Sequence, residues 1–214
     1  KRYFMNKLKT LALATCLSFV ASVASAEVRM GVSVHAMMLD STGSETLRTS
    51  GNVTSTSIDE TAIVPSVFIE TMNSAGFGVG IDYVPVAELG SKSSSNKVDA
   101  ETNGENKASA ELASHATLYV IAQHENGIFV KAGMAFADVE TTESLSTGDT
   151  YGDATTEGLM AGIGMSRDLD NGMFVRGELS YVDYDDISIT STGGSTVKAD
   201  VDSTNVTFSI GKSF

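Results

Sequence analysis

The chain has 214 residues, of which 42% are hydrophobic and 19% are charged, a composition typical of a folded protein rather than a disordered one. Its 27 acidic residues outnumber 14 basic ones, and this excess of negative charge excludes broad nucleic-acid binding, which needs lysine and arginine at the phosphates. After the N-terminal segment, no run approaches the roughly 18 apolar residues that a membrane-spanning helix requires.

The N-terminal segment has the three parts of a secretory signal peptide. A positive region with two lysines precedes an apolar run over 11–23, and the small residues Ala24 to Ala26 form a cleavage site. We therefore predict a signal peptide over residues 1–26, of which 1–4 are an upstream extension, and a mature chain that starts at Glu27. A short membrane anchor is the alternative interpretation of this segment.

The single cysteine, Cys16, lies within the predicted signal peptide. A lipid-attachment box over 13–16 is one interpretation, but the apolar run continues past the cysteine, which favours a plain signal peptide. The mature chain would then cross an oxidising compartment without any disulfide, so a closed, hydrogen-bonded barrel would have to supply its stability. Four of the 14 basic residues precede Glu27, which leaves the mature chain a net charge of about −17 and a surface that stays well solvated.

The strongest pattern along the chain is an alternation of apolar and polar residues with a period of two. In the last segment, Val206, Phe208 and Ile210 share one face, whereas Thr207 and Ser209 lie on the other. A membrane barrel has this pattern because one face of each strand meets lipid and the other meets the lumen. The pattern occurs in eight segments: Val28–Ala36, Ile63–Glu70, Phe77–Tyr83, Glu111–Val120, Ile128–Phe136, Gly158–Ser166, Met173–Tyr181 and Asn205–Phe214.

The connections between these segments alternate strictly between short and long. Tight turns are predicted at Asn73–Gly76, His124–Gly127 and Asp170–Gly172, where asparagine and glycine supply the positive φ of a hairpin. The long connections are polar and are predicted as external loops over 39–57, 90–107, 141–152 and 188–200. We therefore predict one all-β domain over 27–214, an eight-stranded antiparallel up-and-down transmembrane β-barrel with short periplasmic turns.

Two features of the sequence fit the predicted barrel less well. Pro65 lies inside a predicted strand, and because proline lacks an N–H we expect a bulge or a register irregularity there. Tryptophan is absent, so the aromatic girdles of the membrane rims must consist of tyrosine and phenylalanine. The predicted girdle residues are Phe77 and Phe214 at the periplasmic rim, and Tyr83, Phe136 and Tyr181 at the outer rim.

A weak internal repeat supports hairpin repetition, since Asn126–Gly133 and Asn171–Glu178 share a turn, an outward apolar pair and an inward base. With this repeat, the predicted signal peptide, the eight amphipathic segments and the final Phe214, the chain resembles the small outer-membrane barrel superfamily. That superfamily includes the OmpA transmembrane domain, Ail and OmpX, and the opacity-type proteins. The resemblance implies outer-membrane localisation in a Gram-negative bacterium. It also implies that Phe208, Ile210 and Phe214 form a signal for the barrel assembly machinery, although Lys212 departs from that pattern.

The predicted inward face carries charged residues of both signs. An eight-stranded barrel is just wide enough for side chains, so these charges must be paired or hydrated. We predict a structural ion-pair plug, and a narrow, gated conduction path is the alternative. The cluster comprises Arg29, Glu70, Asp82, Glu111, Lys131, Arg176 and Glu178.

The sequence gives little support to catalysis or to metal binding. His35 lies near Ser33 on the same face, but no acid completes a nucleophilic triad in the sequence, so we predict that the chain is not an enzyme. Acids cluster in the external segments, as at Asp149 and Asp153, yet no loop has the spacing of an EF-hand, so solvated acids are favoured over calcium ligands. No zinc spacing, phosphate loop or nucleotide fingerprint occurs, and we predict no cofactor.

The predicted function is therefore a surface scaffold that acts in envelope integrity or adhesion through the external loops. The expected partners are outer-membrane lipid, lipopolysaccharide, the assembly machinery and a surface ligand on the loops, with no nucleic acid, and the expected state is a monomer. A small-solute or ion channel and a lipid-modifying enzyme are the alternatives.

Overall fold

The structure is a computed structural model that describes residues 26–47, 50–98, 103–146 and 148–214. The predicted signal peptide up to residue 25 lies outside these residues, so it stays a prediction. Within these ranges, no helix has the length and apolarity needed to cross a bilayer. The strands are β1 Glu27–Thr46, β2 Val53–Met72, β3 Phe77–Val84, β4 Ala87–Val98, β5 Asn103–Gln123, β6 Ile128–Ser144, β7 Ala154–Asp168, β8 Met173–Tyr184, β9 Ile187–Thr190 and β10 Thr196–Ser213.

The strands form one antiparallel sheet that closes on itself. The order is β1-β2-β3-β5-β6-β7-β8-β10, and a ladder between β1 and β10 joins the two ends. Strand β4 pairs with β5 and continues β3, while the short strand β9 pairs with β10 and continues β8. Counted with these continuations, the ring therefore has eight strands, which confirms the predicted all-β, up-and-down barrel.

The register fixes how far the ring is staggered. Starting at Arg29, the paired residues lead through Glu70, Gly80, Tyr119, Gly133, Met160, Val182 and Ser203 back to Leu39 on β1. One circuit thus shifts the chain by ten residues. Strand number and stagger together set the tilt and the diameter of a barrel, and eight strands leave an interior that side chains can fill.

Tight turns close the barrel at the predicted periplasmic end. Gly127 has a φ of 88°, and the consecutive residues Asn171 and Gly172 have φ values of 64° and 73°. These positive angles match the right-handed twist of the flanking strands, as a short hairpin requires. The side chain of Asn73 accepts hydrogen bonds from the backbone N–H groups of Ala75 and Phe77, both at 3.0 Å. The three predicted turns are therefore confirmed.

The predicted long loops are largely strand in the structure. The β1–β2 ladder continues to the pair Thr46 and Val53, and β5 pairs with β6 as far as Lys107 and Ser144. The expectation of long loops is wrong for most of 39–57, 90–107 and 188–200, whereas most of 141–152 lies between strands as predicted. The parts that form strands do so because the period of two persists in them. Polar residues now lie on the outward face, and the residues between them point into the barrel.

Pro65 does not disturb the ladder in which it was expected to cause a bulge. The β1–β2 pairing passes through Val34 and Pro65 without a register shift. On the opposite edge of β2, the described ladder with β3 ends at Val67 and Tyr83, and the same register extended by two residues places Pro65 opposite Pro85. Neither proline has an N–H to donate, so this ladder stops where the two meet.

An apolar band surrounds the lower part of the barrel. Ile163, Val206 and Phe208 point outward and keep more than half of their surface exposed, as a lipid-facing residue must. The predicted girdle residues are also on the outer face and exposed: Phe77, Tyr83, Phe136, Tyr181 and Phe214.

We predict that a charge on this band destabilises the barrel in a way that depends on depth. Ile163→Arg should lower the free energy of unfolding in lipid vesicles by about 2–4 kcal/mol, because it places a cation near the bilayer midplane. Thr155→Arg, on the outward face of the same strand beyond the band, is the control and should change it little. Equal effects of the two substitutions in a denaturant titration would contradict the position of the band.

Candidate functional site

A buried ion pair crosses the lumen between β2 and β8. Arg176 donates two hydrogen bonds to the Glu70 carboxylate, from Nη1 to Oε2 at 3.0 Å and from Nη2 to Oε1 at 2.5 Å. The Tyr119 hydroxyl donates a third bond to Glu70 Oε2 at 2.8 Å. Arg176, Glu70 and Tyr119 are each only 1% exposed, so this charge pair has no access to bulk water. A buried pair of this kind is tolerated only because its hydrogen bonds replace the lost hydration.

A second ion pair lies beside the first. Lys131 Nζ on β6 is 2.6 Å from Glu178 Oε2 on β8, and both side chains are less than 10% exposed. The same ammonium lies 4.3 Å from the centroid of the Tyr119 ring, which adds a cation–π contact. The two pairs therefore share Tyr119 as a neighbour and form one connected cluster.

Aromatic rings pack around these charges. The Arg176 guanidinium carbon lies 5.0 Å from the ring centroid of Phe129, 5.3 Å from that of Phe174 and 5.6 Å from that of Phe68. All three rings are buried. We call Phe68, Phe129, Phe174 and Tyr119 with the two ion pairs the lumen plug. Sequence reasoning missed the phenylalanines, although the internal repeat places Phe129 and Phe174 two residues before an inward base and therefore on the inward face.

Glycines on the neighbouring strands make room for these rings. A Cβ built at Gly164 would overlap the Phe129 ring, and one built at Gly211 would overlap the Phe174 ring. Large and small inward residues thus alternate at these positions, which allows the rings to pack within a narrow lumen.

The structure places the remaining predicted lumen residues in three different settings. Arg29 is buried at the periplasmic end, where its Nη1 lies 3.3 Å from Gln123 Oε1 and its Nη2 lies 3.7 Å from Glu27 Oε2. Asp82 faces the lumen above the plug. Glu111 is exposed on the outer face, so its predicted place in the lumen is wrong.

The error at Glu111 has a local cause. The β5–β6 register shifts between Leu112 and Ser114, so the extra residue Ala113 exchanges the faces of β5 at that point. Leu112, predicted to point outward, is 3% exposed and belongs to the core.

A polar cluster that includes Asp82 lies above the plug. His35 Nε2 is 2.8 Å from Ser66 Oγ, and the Ser66 hydroxyl donates to Asp82 Oδ2 at 3.0 Å. Thr207 Oγ1 is 2.9 Å from His35 Nδ1, whereas Ser33, the neighbour suggested by the sequence, donates to Ser209 instead. This cluster does contain a serine, a histidine and an acid.

Its geometry differs from that of a hydrolytic triad. In a triad the acid orients the histidine through Nδ1 and the serine bonds to Nε2. Here the carboxylate lies on the Nε2 side, 3.5 Å from that nitrogen, and it accepts the serine proton directly. In this arrangement the Ser66 hydroxyl donates to Asp82, so His35 is not its hydrogen-bond acceptor as the base of a triad would be.

The cluster borders a small cavity of about 40 Å³ in the middle of the lumen. Such a volume holds a few water molecules, because one water needs roughly 10–15 Å³ by the same measure. Above it, the His115 Nε2 lies 3.0 Å from the Tyr184 hydroxyl oxygen, and both residues are buried. Among the described residues, no group of three or more acids, histidines or cysteines is arranged to hold a metal ion.

The residues of the predicted assembly signal lie on the outer face. Phe208, Ile210 and Phe214 are 61%, 41% and 66% exposed, and the Lys212 ammonium lies 5.4 Å from the centroid of the Phe214 ring. They form an apolar strip on β10 and the residue that follows it, and their role in assembly stays a prediction.

We predict that removing one partner of the central ion pair lowers the free energy of unfolding more than removing both partners does. Arg176→Met should lower the free energy of unfolding by about 3–5 kcal/mol, because it leaves the Glu70 carboxylate buried without its partner. The double variant Arg176→Met/Glu70→Gln should lose clearly less. The control is Arg167→Met, which removes an exposed arginine from β7. A single variant no less stable than this control in a denaturant titration would contradict the burial of the pair.

Solved structures of known outer membrane proteins match the fold of this chain. The solved structure of outer membrane protein OprG from Pseudomonas aeruginosa matches with a TM-score of 0.61 at 12% identity, over 88% of this chain and 96% of that one. AlkL, solved in lipid bilayers, matches with a TM-score of 0.53 at 12% identity over 88% and 90%. Ail of Yersinia pestis is 13% identical over 88% and 99%, with a TM-score of 0.47. At these identities the likeness to OprG and AlkL concerns the fold alone.

No curated protein matches the sequence. The family model described as outer membrane protein beta-barrel domain matches residues 10–214. That range contains all ten strands, including the closing β1–β10 ladder and the apolar band. The chain therefore belongs to the outer membrane protein β-barrel domain family.

Proposed function

We propose that this protein is a closed barrel of the outer membrane that acts as a structural and surface-interaction scaffold, in envelope integrity or adhesion. The observation that carries the proposal is the lumen plug, in which two ion pairs and four rings occupy the barrel below the small cavity. Ions would have to cross a layer in which Lys131 and Arg176 are already paired with acids and buried rings surround the pairs. The parts left for function are those outside the membrane.

The part beyond the outer rim supports a surface role. The strands extend well past Phe136 and Tyr181, and their outward faces carry acids such as Asp138, Glu140 and Asp200. A rigid, acidic extension holds any ligand-binding residues at a fixed height above lipopolysaccharide and disfavours anionic partners. We propose that it functions as a monomer, because the ring leaves no unpaired strand edge at the level of the apolar band.

Delivery to the membrane completes the proposal. Export would depend on the predicted signal peptide, and insertion on the barrel assembly machinery. The apolar strip of Phe208, Ile210 and Phe214 is the part of the outer face that we propose this machinery recognises.

The scaffold proposal predicts an electrically silent protein. The purified, heat-modifiable protein should give no reproducible current steps in a planar lipid bilayer, because the plug fills the lumen. Arg176→Ala and Glu178→Ala, which remove parts of the plug, are the informative variants, and Arg167→Ala on the outer face is their control. Reproducible steps in the unmodified protein that change with the two plug variants, but not with the control, would instead establish the channel alternative.

We also propose that the protein is not a hydrolase, since the Ser66 hydroxyl donates its hydrogen bond to Asp82 and the carboxylate lies on the Nε2 side of His35. Membranes that contain the protein should show no turnover of phospholipid, lipopolysaccharide acyl chains or peptide above that of membranes without it. Turnover that disappears with both His35→Ala and Ser66→Ala, while Ser33→Ala retains it, would contradict this proposal.

A further inference from the structure

The two faces of the strands exchange their polarity at the outer rim. Up to Phe136, apolar residues of β6 point outward to lipid and Lys131 points into the lumen. Beyond it, the acids Asp138 and Glu140 point outward and Val139 points inward. The membrane part needs an apolar outside, but nothing in the membrane explains an apolar inside above it. The apolar residues of this upper interior therefore need an explanation other than contact with the membrane.

The upper interior contains a large apolar cavity, which we call the outer chamber. Its volume is about 480 Å³, and its walls come from β1, β2, β5, β6, β7, β8, β9 and β10. That volume lies in the range of binding sites for small organic molecules, which is roughly 300–1,000 Å³. Residues typical of its wall are Leu39, Ile58, Leu112, Val139, Ile187 and Val201.

The side chains that line the outer chamber leave this space open. Ala137, Ala154 and Ala199 lie in its wall, although each strand could carry a larger residue there. In the lower lumen the same chain places the buried rings of Phe129 and Phe174 on the inward face. Small apolar residues around a cavity are what an eight-stranded barrel needs to hold one small ligand.

The polar groups of the wall indicate which ligand fits. The Thr141 hydroxyl donates to Glu143 Oε1 at 2.6 Å, the Tyr151 hydroxyl donates to Glu45 Oε1 at 2.6 Å, and the Tyr184 hydroxyl is bonded to His115. These three hydroxyls already have partners and offer a ligand no free donor. The carboxylates of Glu60 and Glu143 in the wall would repel an anion.

From these observations we propose that the outer chamber binds one small, uncharged, apolar molecule from the outside of the cell. Burial of apolar surface supplies the affinity, and the acids of the wall select against anionic amphiphiles such as fatty acids. The proposal is independent of the scaffold function, because a sealed plug below the chamber is compatible with either a filled or an empty chamber.

A pair of fluorescent probes tests the proposal directly. N-phenyl-1-naphthylamine and 8-anilinonaphthalene-1-sulfonate share their ring system, but only the second is anionic. Each is titrated into the protein in lipid nanodiscs, and the linear partitioning into empty nanodiscs is subtracted. We expect a saturable signal with the neutral probe and at least tenfold weaker binding of the anionic one, which corresponds to about 1.4 kcal/mol or more.

Two matched pairs of variants locate the binding. Ala137→Phe and Ala154→Phe fill the chamber from β6 and β7, and each should abolish the saturable signal. Ala132→Phe and Ala161→Phe make the same change on the lipid-facing side of the same two strands and should retain it. Heat-modifiable migration checks that each variant is folded, and having two filling variants keeps the test decisive if one does not fold.

The absence of a saturable signal with the neutral probe would overturn the proposal. So would a signal that survives both filling variants, because the probe would then bind elsewhere. Equal or tighter binding of the anionic probe would overturn the assignment of an uncharged ligand.

Discussion

The ladder between β1 and β10 is the contact on which the rest of this structure depends. It runs from Arg29 and Ser213 to Thr46 and Thr196, so it closes the ring both within the membrane and beyond it. In lipid, every backbone N–H and C=O group must find a partner within the protein, and closure is the way in which a sheet meets this requirement. A closed ring also fixes the number of strands and their stagger, and these determine how wide the lumen can be.

Within this fixed width, the interior of the barrel differs between the part that faces lipid and the part beyond the outer rim. Where the outer face meets lipid, the inward face holds the polar residues, and Glu70 and Arg176 are stable there because they pair with each other and with Tyr119. Where the outer face meets water, acids such as Asp138 occupy it and apolar residues turn inward. The first interior is packed by rings, whereas the second retains space around Ala137 and Ala199. One chain therefore combines a membrane segment packed with charged pairs and rings with an apolar chamber above it.

The sequence was sufficient to predict the membrane segments, because lipid imposes a strict period of two on each of them. It placed Glu70, Lys131, Arg176 and Glu178 on the inward face, where the structure has them. It could not give the pairing of Glu70 with Arg176 or the meeting of His35, Ser66 and Asp82, since these contacts depend on the register of strands far apart in the chain. Glu111 was misplaced because a single bulge residue, Ala113, reverses the alternation. The strand extensions looked like loops because their polar residues are those of a water-exposed surface.

The exchange of faces at the outer rim can be measured along one strand. Nitroxide labels would be placed singly from residue 128 to residue 144 on β6, and their accessibility to oxygen and to a water-soluble nickel complex compared in lipid bilayers. We predict that outward labels up to 136 are accessible to oxygen, that outward labels from 138 onward are accessible to nickel, and that inward labels at the level of the lumen plug are shielded from both. Outward labels that remain oxygen-accessible beyond 138, or a loss of the period of two there, would contradict it.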